Sequence, residues 1–127
     1  MSYTVYDITP VPQPRMVQSD RWNKRPRVLR YRAFRDECRL KKVVLPENYH
    51  VIFVMPMPKS WSGKKCKRMS GQPHRSKPDK DNLEKALLDA VYEEDSIVWD
   101  GRVTKVWGYT GKICVALIDP PITDVAA

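Results

Sequence analysis

The chain has 127 residues, 42% hydrophobic and 30% charged, which is enough for one modest core and too little for a deep two-domain cleft. No apolar run approaches the ~20 residues of a membrane span, the opening residues carry no signal-peptide pattern, and a reducing cytoplasm is the expected compartment. Three scattered cysteines, Cys38, Cys66 and Cys114, make no disulfide framework, and with His50 and His74 far apart they make no zinc site. The net charge of +8 suits a nucleic-acid binder, because phosphate neutralisation by Lys and Arg dominates such affinity.

In chain order, residues 3–8 read as a first strand that runs into Pro10, Pro12 and Pro14, an extended turn region. Residues 15–42 hold eleven Lys/Arg against three acids. The spacing predicts a helix over about 29–44, with Phe34, Cys38, Leu40 and Val44 partly inward and Arg30, Arg32, Arg35 and Arg39 as an exposed face or a DNA-facing stripe. Residues 49–55 form a near-continuous apolar run, as in a strand covered on both faces, ended by Pro56 and Pro58. A basic loop, 59–78, follows, in which Trp61 and Met69 either pack the loop down or stack on bases.

From 79 to 100 the balance inverts. This stretch has eight of the 15 Asp+Glu and only two Lys, whereas 59–77 has seven Lys/Arg and no acid. Asp81 reads as a helix N-cap with Glu84 completing an Asp-x-x-Glu capping box, and Leu83, Ala86, Leu87, Ala90 and Val91 line one apolar face over 81–92. Asp81, Asn82, Lys85 and Asp89 fall on the polar side. A solvated helix start would explain an isolated D-x-D. The basic loop before it and Glu93-Glu94-Asp95 after the helix favour a site where carboxylates hold a cation against a polyanion. A long strand over 97–107, bent at Asp100-Gly101, and a last strand over 112–118 follow a turn at 108–111, and the tail 120–127 is expected to fray.

The composite Asp79-x-Asp81-Asn82-Leu83-x-Lys85-Ala86, then Asp89-Ala90 and Glu94-Asp95-Ser96-x-Val98, resembles the RusA-type Holliday-junction resolvases of bacteria and their phages. Phe53 to Trp61 and Lys77-Pro78 are similar to phage-type members. The resemblance implies a single α+β nuclease domain over 1–127, a small mixed sheet with two helices in the order β-α-β-α-β-β, working as a homodimer on branched DNA in recombination and repair. It implies catalytic Asp79, Asp81 and Asp95 as ligands of magnesium, or of manganese in its place, and Lys85 assisting phosphodiester hydrolysis. A nucleoid-associated place in a bacterial or phage-infected cell goes with it. Glu94 and Asp100 are reserve ligands, Asp89 matches the family with its role open, and Asn82 supports the turn. Lys59, Lys64, Lys65, Lys67, Arg68, Arg75, Lys77 and Lys80 are the expected DNA contacts. Pro78 stands where some relatives carry Arg, so Lys77 or Lys80 must supply that charge.

Three other readings are weaker. A PD-(D/E)xK nuclease is excluded because none of Lys80, Lys85, Lys105 or Lys112 has Asp or Glu two residues before it. An RNA-binding module lacks an aromatic RNP-like strand. A non-catalytic, basic DNA-binding or regulatory protein leaves three aspartates near DNA without a purpose.

Overall fold

A computed structural model describes residues 2–15 and 25–119. The order is β1 (Thr4–Tyr6), α1 (Pro26–Leu40), β2 (Asn48–Pro56), α2 (Gly63–Met69), α3 (Lys80–Val91), β3 (Asp100–Gly108) and β4 (Lys112–Leu117). The architecture is α+β, as expected, with a mixed four-stranded sheet in the order β1-β4-β2-β3. A third helix corrects the expected two: α2 lies inside the stretch read as a loop. Ser62 caps it, its hydroxyl accepting from the Lys65 N–H at 3.2 Å.

β2 is central, antiparallel to β4 and parallel to β3, so α2 and α3 form the crossover that a parallel pair requires. Tyr49, Val51, Phe53 and Met55 project from one face of β2 and are buried with Leu83, Ala86, Leu87 and Ala90 of α3 and Tyr31, Phe34 and Cys38 of α1. Ile52 and Val54, on the other face, are only half-buried, so β2 is covered fully on one face and not on both. His50 is the exception there: it is buried, with Nδ1 at 2.6 Å from the Tyr3 hydroxyl and Nε2 at 2.9 Å from Thr104 Oγ1.

Two element ends differ from the sequence reading for local reasons. α1 stops at Leu40 because Lys42 takes a left-handed φ of 54° and closes a Schellman turn, Val43 N–H to Cys38 O at 3.0 Å and Lys42 N–H to Arg39 O at 3.1 Å. Leu40 and Val44, expected inward, are therefore exposed at 81% and 68%. β3 starts at Asp100 rather than 97, because the Val98 N–H turns back to Asp95 O at 3.0 Å and leaves Ile97 and Trp99 exposed. Gly101 opens β3 against the Tyr49 ring, where a Cβ would stand 3.0 Å from two ring carbons. The tail 120–127, and residues 16–24 of the basic stretch, lie outside the described residues.

Candidate active site

α3 presents the acidic cluster from its first turn. Its N-cap is Asp79, not Asp81, with Asp79 O accepting the Leu83 N–H at 3.2 Å. The Asp79 side chain makes no capping bond, and the Asp81 carboxylate folds onto the Asn82 N–H at 3.0 Å, so the expected Asp81–Glu84 capping box does not form. Glu84 is taken elsewhere: it accepts a short hydrogen bond from the Tyr49 hydroxyl. Burial, and then the bond to Glu84, push the Tyr49 hydroxyl pKa well above its ordinary value, so that pair holds its proton and anchors α3 to the sheet. Asp89 is also structural, accepting from the Gln13 side chain, while the Gln13 N–H reaches Asn82 O at 3.3 Å and lays residues 11–15 along α3.

Asp79, Asp81, Lys85 and Asp95 are all exposed. Lys85 makes no hydrogen bond or ion pair among the described residues. Glu94 accepts the Ser96 N–H at 3.1 Å and so shapes the turn that carries Asp95. Among the described residues no three His, Cys, Asp or Glu side chains converge into a group that could hold a metal ion. The donor set is nonetheless hard carboxylate oxygen at solvent-facing positions. That suits magnesium, which is bound through one or two carboxylates and keeps several waters, and not a closed cage such as structural zinc needs.

One residue that sequence reasoning missed sits directly behind Asp79. Lys105, on β3, donates from Nζ to Ser76 O at 2.7 Å and to Pro78 O at 2.6 Å, fixing the loop that delivers Asp79. Burial lowers the Lys105 pKa, with the Asp79 carboxylate acting in the opposite direction. The signal was available: Val103, Lys105 and Trp107 share one face of a period-two strand, and a lysine between two inward apolar residues has to find oxygen partners.

The basic segment is fastened to the same strand. Trp61 and His74 both pack against Trp107 with tilted rings, their centroids 4.8 Å and 4.2 Å away. The Gly71 N–H bonds Trp107 O, the Trp107 N–H bonds Gln72 O, each at 2.9 Å, and the His74 N–H bonds Lys105 O at 3.0 Å, covering the open edge of β3. Trp61 is thus a packing residue, and Lys65 lies over its ring at 4.3 Å. Lys59, Lys64, Lys67, Arg68, Arg75, Lys77 and Lys80 are exposed. Of the α1 arginines, Arg30 and Arg39 are exposed, whereas Arg32 and Arg35 are half-buried.

The loop that delivers Asp79 is therefore fastened to β3 at Lys105, and the basic segment at Trp107, two residues further along the same edge strand. No curated protein matches the chain significantly. The family model described as Endodeoxyribonuclease RusA matches residues 7–118, nearly the whole of the described chain. The match spans both charged segments and every strand except β1, and on it the chain belongs to the RusA endodeoxyribonuclease family.

Proposed function

We infer that the protein is a magnesium-dependent resolvase that nicks four-way DNA junctions in symmetric pairs, and that Asp79, Asp81 and Asp95 supply its metal ligands. The observation that carries this reading is membership of an endodeoxyribonuclease family, supported by three exposed aspartates and by a loop before Asp79 that shares edge strand β3 with the exposed basic segment. Asp79, Asp81 and Asp95 would hold the ion, whose chemistry would be to neutralise charge on the phosphate and the leaving oxygen. The basic segment draws the backbone in. Lys85, one turn into α3 from Asp81, orients the attacking water or steadies the negative charge that builds on the phosphate. Lys105 holds Asp79 at its station through the backbone carbonyls of Ser76 and Pro78.

Resolution requires two incisions related by the two-fold symmetry of the junction, and each chain carries one D-x-D…D set, so the active unit is a C2 homodimer. A synthetic mobile junction, incubated with magnesium or with chelator, tests the whole reading. Asp81→Asn should lower nicking by at least ~10²-fold, the loss expected when several kcal/mol of charge stabilisation go, while junction binding stays intact. Mixed with excess Asp81→Asn protein, wild type should convert a supercoiled cruciform mainly to nicked circles. Wild-type rates from Asp81→Asn would remove the metal assignment, and linearisation by a stable monomer would remove the dimer. Binding without cleavage in magnesium would leave the non-catalytic DNA-binding reading.

A further inference from the structure

A cavity of about 460 Å³ opens beside Asp79, between residues 11–15, the first turns of α1 and the start of α3. Its volume falls within the roughly 300–1,000 Å³ typical of sites for small organic ligands. Two kinds of surface line it. Pro12, Pro14 and Pro78, all half-buried, give it an apolar floor. Arg15, Arg27, Arg30 and Lys77, all exposed, set four cations against the single carboxylate of Asp79. Arg27, Arg30 and Lys77 form no ion pair among the described residues.

Contact with the backbone of an intact duplex needs cations and no cavity, since phosphates lie on the outside of the helix. A concave apolar floor under a cationic rim instead matches a single nucleotide, with base and sugar against the prolines and phosphate on the arginines. Resting on the nuclease reading above, we propose that this cavity receives one unpaired nucleotide of the strand being cut, adjacent to the phosphate that Asp79 faces. Taking a base out of the stack costs least where pairing is already interrupted. The cavity thereby supplies a physical reason for selecting branched DNA over plain duplex: only at a branch point is a nucleotide available to fill it cheaply.

The test places 2-aminopurine, a base whose fluorescence rises on unstacking, at each nucleotide flanking the cut phosphate of a junction bound in chelator. Wild type should raise the signal at one of these positions and not on a matched duplex. The rise should disappear in Arg27→Ala/Arg30→Ala, which removes the rim, and in Pro14→Trp, which fills the cavity without changing its charge. Both should lower the ratio of junction to duplex affinity by about tenfold or more. A flat signal at every flanking position, from protein that cuts the junction in magnesium, overturns the cavity assignment and leaves the nuclease standing. So does a rise that survives in both variants. Failure of wild type to cut any junction in magnesium overturns the nuclease reading and this inference with it.

Discussion

Between β2 and β3 the chain passes first through a basic half, residues 57–78, and then through an acidic half, residues 79–99, and the two are held by different means. The basic half is secured by rings and backbone: Trp61 and His74 on Trp107, and N–H groups on the edge of β3. Apart from Lys65 over Trp61, its Lys and Arg side chains stay exposed. The acidic half is secured by its own carboxylates, Glu84 to Tyr49 and Asp89 to Gln13. Its acids therefore divide into anchors and solvent-facing groups, while nearly all basic side chains remain available. Charge near DNA is cheap to leave exposed when it is positive. When it is negative it repels phosphate, a cost that exposed Asp79, Asp81 and Asp95 would carry beside a polyanion.

The comparison breaks first at Trp107. Trp107→Ala removes the ring on which the basic half rests and should cost ~3 kcal/mol by urea unfolding, near the low end for deleting a large aromatic because Trp107 is half-buried. A loss below ~1 kcal/mol would mean that backbone bonds to β3 suffice without the ring contacts. A smaller change sharpens the availability of the cations. Neutralising Lys64, Lys67 and Arg68 together should flatten the log–log salt dependence of junction binding by about 0.9 for each phosphate no longer neutralised. Adding Lys65→Gln should change the slope little further, since Lys65 already sits on Trp61. An unchanged slope in the triple variant would place this helix away from DNA.

The smallest effect concerns pH. Burial lowers the pKa of His74, in the basic half, and of His50, on β2, below their ordinary 6.5, with positive Lys105 and Arg102 respectively adding to it. The unfolded chain then binds protons more readily than the folded one, so stability rises with pH in that window. It is complete above about 6.5 and is lost as pH falls through the folded values. Tm should drop between about pH 7.5 and about pH 5, and the drop should shrink in His50→Gln/His74→Gln. An equal drop in that double variant would assign the pH dependence to carboxylates instead.

Much of the fold was legible because apolar periodicity carried it. The α3 face of Leu83, Ala86, Leu87 and Ala90 and the β2 run both follow from spacing, and both are buried on the side that meets the helices. The misplaced end of α1 has a specific cause. A left-handed turn is signalled by Gly or Asn, and here Lys42 adopts it. α2 was hidden because seven residues with no buried side chain leave no periodicity, although Ser62 was in place as a cap. The site was legible as charge: the acid-rich and base-rich stretches stand out by counting. Which acids act as anchors was not, because Glu84 and Asp89 meet partners 35 and 76 residues away in sequence. The cavity was beyond sequence reading for the same reason, since it joins three separate segments.

The covered edge of β3 also makes the basic half dependent on a strand pairing made elsewhere. Met57, Trp61, Gly71, His74 and the carbonyls of Ser76 and Pro78 all find their partners between Lys105 and Gly108. Those partners come later in the chain than the segment they hold, and they belong to a strand that pairs in parallel, the slower kind of pairing to close. Until β3 lies beside β2, the basic half has no surface to settle on. Whatever loosens β3 from β2 therefore releases the cationic segment and the loop before Asp79 together, so the two charged surfaces share one point of failure.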